Sequence, residues 1–227
     1  MNLKAGDSNM GKLVSAREAV ERIRDGDRIM IGGFGLRGSP DELVDELVSS
    51  GKKELTIISN DLGSPNQGLG RLMTNRQVKA LVGSYYNWNP EAIEAYNRGE
   101  IEVTLVPQGT LAESIRAAGA GIPAYYTPTS AGTDLESGKE VREFDGVKCV
   151  LEKAIGADTA LIHAFRADTL GNLAYNKTAR NFNPLMASAA KYTIAEVDEV
   201  VEAGALDPEE IVTPHIYVDA IVVRSKK

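Results

Sequence analysis

Arg28-Ile29-Met30-Ile31-Gly32-Gly33-Phe34-Gly35-Leu36-Arg37-Gly38-Ser39-Pro40-Asp41-Glu42 runs from an apolar stretch, through four glycines between Gly32 and Gly38, into a helix start. Ile29 to Ile31 shows no polar alternation and reads as a strand buried on both faces. Ser39 reads as the helix N-cap and Pro40 as the first helical residue, where its missing N–H is not needed. Glu42 then closes a capping box. Leu43, Val44, Leu47 and Val48 follow at the spacing of one helical face. A strand, a glycine turn and a capped helix in direct succession open a βαβ unit.

The same alternation extends in both directions. Upstream, Ser15-Ala16-Arg17-Glu18 forms a capping box for a helix that places Ala19, Val20 and Ile23 on one face and ends near Asp25-Gly26. Downstream, Leu55–Ile58, Lys79–Val82 and Val103–Val106 read as strands, the last being a buried one that stops at Pro107. Asn89-Pro90-Glu91 starts a helix, and Thr110-Leu111-Ala112-Glu113 forms a capping box for another that reaches about Ala118. Further strands are expected at Ala160–Ile162, Thr193–Ala195 and Val218–Val223, with a turn at Asp207-Pro208-Glu209-Glu210. Strands alternating with helices at this spacing predict an α/β fold with a mainly parallel sheet covered by helices on both faces.

Between Gly119 and Gly146 the rhythm breaks into a glycine- and tyrosine-rich stretch, which is expected to be functional or partly folded. Met1 to Met10 shows neither apolar periodicity nor a secretory pattern. Residues 1–10 are set aside as a disordered tail and 11–227 are expected to form a single domain.

Across its 227 residues the chain carries 25 Lys+Arg against 32 Asp+Glu, a formal net charge of −7. With no basic cluster, that balance argues against a nucleic-acid partner, because phosphate contacts need concentrated positive charge. Apolar runs fall far short of the ~18 residues that span a bilayer, so no membrane partner is expected. Cys149 is the one cysteine and reads as a small core residue. It cannot pair within the chain, which suggests a reducing, cytoplasmic setting. His163 and His215 lie too far apart for a metal or triad spacing, and no metal site is expected.

The glycine cluster is the strongest ligand signal, because glycine lets backbone N–H groups approach a bound group without Cβ obstruction. Gly33-Phe34-Gly35-Leu36-Arg37-Gly38 matches G-x-G-x-x-G, and Asp61 lies where a ribose-binding acid belongs. Two features disagree with a dinucleotide site. Pro40 delays the helix until after the third glycine, and a whole helix precedes the strand.

The segment from Asp25 to Pro40 also resembles the signature of the family I coenzyme A-transferases: Asp25-Gly26, three apolar residues, Gly32-Gly33-Phe34, Gly38 and Pro40. Ser59-Asn60-Asp61, Gly68-Leu69-Gly70, Pro107-Gln108-Gly109-Thr110-Leu111, Tyr126-Thr127-Pro128-Thr129, Val141-Arg142-Glu143-Phe144 and Ala179-Arg180-Asn181-Phe182-Asn183 are similar to family segments in family order. The resemblance covers about Lys12 to Val223 and is closest to the A subunits that work on succinyl-CoA and 3-oxo acids. It implies a three-layer α/β/α fold and one half of a transferase that works by ping-pong chemistry through a thioester on a glutamate. In such enzymes that glutamate belongs to a Ser-Glu-Asn-Gly segment of a B-type chain. This chain contains no Glu-Asn pair, so activity is expected only with a B subunit, in a heterodimer or heterotetramer.

By the same resemblance Gln108 positions substrate or donates to the developing oxyanion. Gly32, Gly33, Phe34, Gly35 and Asn60 would line the acyl-CoA or carboxylate pocket. Coenzyme A thioesters and short carboxylic acids are the implied substrates, with no permanently bound cofactor. Arg37 and Ser39 replace a cysteine and an apolar residue common in the family, and the Tyr86–Pro90 stretch differs from close relatives. Those departures bear on acyl specificity, as do the aromatic residues Tyr85, Tyr86 and Trp88. Two other readings stand beside this one: a nucleotide-dependent (NAD) oxidoreductase built on Gly33–Gly38, and a non-catalytic assembly subunit.

Overall fold

A computed structural model describes residues 11–225, so the segment read as a tail, 1–10, lies outside the described residues. The main sheet contains β1 (Arg28–Ile31), β2 (Leu55–Ile58), β3 (Val78–Gly83), β4 (Glu102–Leu105), β8 (Ala157–Asp168), β10 (Ala190–Val201) and β11 (Ala220–Val223). Its order is β11-β10-β8-β1-β2-β3-β4, with every neighbour pair parallel. A two-residue strand, β9 (Leu173–Ala174), pairs antiparallel with β8. Helices are α1 (Ala16–Glu21), α2 (Asp41–Ser50), α3 (Gly70–Thr74), α4 (Pro90–Asn97), α5 (Gln108–Gly119) and α6 (Asn183–Ser188).

Side chains alternate across the sheet, and this produces two apolar layers. Ile29, Ile31 and Ile57 pack with Val20 of α1, Leu43 and Leu47 of α2, Leu72 of α3 and Ala92 of α4. Met30, Ile58, Ala160 and Ile162 face the other way, onto Leu111 and Ile115 of α5 and Met186 of α6. The result is the expected three-layer α/β/α arrangement.

The stretch that breaks the rhythm folds into β5 (Ala124–Thr127) and β6 (Val141–Phe144). With β7 (Val147–Lys153) they make a separate antiparallel sheet of order β5-β7-β6, where Cys149 is buried.

Three local expectations need correction. Ser39 does not cap α2: Pro40 occupies the cap position without a side-chain bond, and the buried Ser39 Oγ has no partner. Instead the Leu43 N–H donates to Glu196 Oε2 at 2.9 Å, and Glu42 accepts from the Ser225 N–H. Second, α5 begins at Gln108 rather than Thr110, because the Leu111 N–H closes the first turn on the Pro107 carbonyl at 2.8 Å. Glu113 pairs with Arg116 instead of closing a box. Third, β4 is the sheet's edge and Leu105 is 51% exposed, so this strand is not buried.

The Ser15 box forms as expected, with Glu18 N–H donating to Ser15 Oγ and Ser15 N–H to Glu18 Oε2. A Ser15→Ala change should lower unfolding free energy by about 1 kcal/mol, measurable by urea titration.

Candidate active site

Parallel strands bring their C-terminal ends to one edge, and the chain leaves β1 and β8 in opposite directions along the sheet. This is the switch point at which α/β sheets present ligand groups. The glycine loop leaves β1 here. Asn60 and Asp61 follow β2, Ser84 and Tyr85 follow β3, and Gln108 follows β4.

Four of these groups form one polar chain. Gln108 Nε2 donates to Asn60 Oδ1 at 2.8 Å, and Ser84 Oγ donates to the same oxygen at 3.0 Å. Asn60 Nδ2 donates to Asp61 Oδ2 at 2.8 Å, which also accepts the Gly35 N–H at 2.8 Å. Asp61 Oδ1 takes the Gly63 N–H at 2.9 Å. Asn60 and Asp61 are buried, whereas Gln108 is exposed, with a second amide hydrogen and an acceptor oxygen for a ligand. Gln108, Asn60 and Gly35 are thus brought together, with Asp61 as the joint between them.

From the other side, a strap spanning 177–183 holds the glycine loop. The Gly33 N–H donates to Asn181 Oδ1 at 3.2 Å, and Asn181 Nδ2 returns a bond to the Arg37 carbonyl at 2.9 Å. Asn183 is fully buried: its Oδ1 accepts the His163 N–H, and its Nδ2 donates to the carbonyls of Gly38 and Ala179. A Cβ on Gly32 would lie 1.8 Å from Asn183 Oδ1, and one on Gly38 would lie 2.3 Å from the Ala179 carbonyl oxygen. Close packing against this strap, more than ligand access, therefore explains those two glycines. Sequence reasoning gave Asn181 and Asn183 no role. Their visible signal is two asparagines spaced by one residue just before Pro184, in a stretch without helical periodicity.

The loop's donors are largely spent on the protein itself. Gly32 N–H bonds the Leu161 carbonyl, and Phe34 and Arg37 exchange backbone bonds across a tight turn. A pyrophosphate cradle needs those N–H groups free. Both Asp61 oxygens are committed to the loops, and the start of α2 already holds the Glu196 carboxylate. The dinucleotide reading finds no support in this geometry.

What the turn presents outward is side chain: Phe34 is 51% and Leu36 56% exposed. The aromatic cluster after β3 divides. Tyr86 enters the core, and burial pushes its hydroxyl pKa up. Tyr85 and Trp88 stay at the surface, stacked edge to face at 5.4 Å. Tyr85 bridges to Asp61, so these apolar groups rim the polar chain.

His163 Nε2 contacts Asp198 Oδ1 at 3.1 Å, and burial holds its pKa below the ordinary value. His215 is exposed and turned toward Asn172. Among the described residues no group of three metal-ligating side chains comes together, and no helix is long and apolar enough to cross a membrane.

Comparison with known proteins shows the family. The family model described as coenzyme A transferase matches residues 13–224. The chain is 51% identical over 215 residues to the A subunit of the probable succinyl-CoA:3-ketoacid coenzyme A transferase of Bacillus subtilis, covering 94% of this chain and 90% of the relative. It is also 51% identical to the A subunit of the 3-oxoadipate CoA-transferase of Pseudomonas putida, covering 93% and 92%. Among solved structures, an acyl-CoA transferase from Escherichia coli O157:H7 superposes with a TM-score of 0.88 at 23% identity. That match takes in 95% of this chain and 50% of the other, and supports the fold. The chain belongs to the coenzyme A transferase family.

Proposed function

We propose that this chain is the A subunit of a two-chain CoA-transferase that moves CoA between succinyl-CoA and a short 3-oxo acid such as acetoacetate. The covalent glutamyl-CoA thioester forms on a B-type partner, in a heterodimer or heterotetramer. One observation carries the two-chain reading. The strand-end segments 32–38, 59–63, 84–88 and 107–109 hold one carboxylate, Asp61, and both of its oxygens are bonded to the protein's own loops. These four segments offer amide donors and shape but no free carboxylate. The exposed Phe34, Leu36, Tyr85 and Trp88 suit an apolar face covered by the partner. Relatives at equal identity carry names for 3-keto acid and 3-oxoadipate substrates, which supports a 3-oxo acid as acceptor.

The partner's glutamate carboxylate attacks the acyl-CoA carbonyl, and the tetrahedral oxyanion expels CoA thiolate to leave a mixed anhydride. The thiolate then attacks the glutamyl carbonyl, releases the first carboxylic acid and leaves the enzyme thioester. The acceptor acid reverses both steps. Gln108 Nε2, steered by Asn60, donates to the oxyanion. Phe34 and Gly35 wall the acyl group, and Gly32 and Gly33 fix where that wall stands.

Mixing the chain with its B-type partner should give CoA transfer from succinyl-CoA to acetoacetate, and neither chain alone should give it. Robust transfer by either lone chain contradicts the proposal. Full activity in the lone B chain favours the assembly-subunit reading.

A further inference from the structure

The glycine loop is tied at Gly33, Arg37 and Gly38 by Asn181 and Asn183. Its far end, Ser39 to Leu43, is tied by charged groups the reaction does not use. Glu196 on β10 is completely buried, and its Oε2 accepts the Leu43 N–H at 2.9 Å. Arg224, just past β11, meets Glu196 Oε1 through Nε at 2.7 Å and Nη2 at 2.6 Å. The same Nη2 donates to the Ser39 carbonyl at 2.9 Å. One ion pair from the sheet therefore grips the loop's exit at a carbonyl and at an N–H. The side-chain cap that sequence reasoning assigned to Ser39 is thereby replaced.

Burying such a pair is costly, and apolar residues of similar volume often serve stability equally well. Its geometry supplies what an apolar pair cannot, a fixed position for Ser39 and Leu43. We infer that Glu196 and Arg224 are a positioning pair, setting the register of the glycine loop against Gln108 and Asn60 without touching substrate.

The surroundings make the idea testable by pH as well as by rate. Glu196 faces Arg224, and Asp41, Asp198 and His163 adjoin the pair. Burial raises the Glu196 pKa, while the Leu43 N–H and Arg224 act against that shift. A carboxyl raised in this way contributes stability below its unfolded value, and that contribution is lost as pH rises through the folded value. Removing Arg224 raises the Glu196 pKa further. The stability deficit of Arg224→Met should therefore grow as pH rises through and above the ordinary carboxylate range. A purely packing role would give a deficit independent of pH.

Because the inference rests on the transferase reading, it takes one readout from exchange and one from activity. In the full chain, Arg224→Met should speed amide hydrogen exchange across residues 32–43 by about tenfold or more, with β2 and β3 unchanged. In the complex with the B-type partner, kcat should fall by about 10²-fold, the scale of a misplaced wall, while KM for the acyl-CoA stays near wild type. Arg224→Lys should recover part of the loss, since one ammonium can reach Glu196 but cannot reproduce the forked contact. If Arg224→Met does not fold, Glu196→Gln decides by the same readouts, because it keeps the volume and loses one of the two contacts. Unchanged exchange at 32–43, uniform exchange throughout the chain, or kcat within about twofold of wild type overturns the pair. Absence of transfer by the wild-type complex counts against the transferase reading instead, and exchange still judges the pair.

Discussion

Gly32→Ala should abolish measurable transfer and destabilise the chain by roughly 3 kcal/mol, combining overpacking with a broken buried hydrogen-bond network. The added methyl group would sit 1.8 Å from Asn183 Oδ1. Asn183 cannot step aside cheaply, since its amide holds the His163 N–H and the carbonyls of Gly38 and Ala179 with no exposure to water. Moving the loop instead displaces Phe34 and Gly35 from the strand ends. Gly109→Ala is the matched control for stability, because a Cβ there meets nothing within 4 Å. Its unfolding midpoint in urea should lie close to wild type. If Gly32→Ala also does, the strap does not grip the loop.

Gln108→Ala should have the opposite profile, with a large effect on rate and little on stability. Ser84 Oγ still donates to Asn60 Oδ1 when Gln108 is gone, so the buried Asn60–Asp61 pair keeps a partner. The exposed amide is then missing only when an oxyanion needs it. Loss of one such donor costs about 10²–10³-fold in kcat. KM should move much less. Steady-state kinetics of the complex tests this directly: unchanged kcat removes Gln108 from the site, and a rise in KM alone reassigns it to ground-state binding.

The parts of the fold legible in the sequence are those set by local rules. The Ser15 capping box, the Asn89 cap and the alternation of apolar strands with amphipathic helices all form as read. Two of the misreadings come from tertiary context that the local sequence does not carry. Ser39 looks like a cap, yet Glu196 fills that slot from another strand. Val103 to Val106 looks like a buried strand, yet its place at the sheet edge leaves it open. The full lengths of β8 and β10 are hidden because polar residues interrupt their apolar pattern, His163 and Arg166 in β8 and Glu196 and Asp198 in β10. In the site, Gly32, Asn60 and Gln108 are singled out by the family resemblance, and each comes shortly after a strand expected from the sequence. The joining role of Asp61 and the clamp of Asn181 and Asn183 depend on contacts between residues as far apart as 148 positions, which no local pattern carries.

The most direct test of a divided active site is to locate the covalent intermediate. The chain and its B-type partner should be incubated with succinyl-CoA, denatured, and each polypeptide weighed by intact-mass spectrometry. A mass increase matching bound CoA should appear on the partner and be absent from this chain. A CoA adduct on this chain would place the nucleophile here and contradict the division of the site.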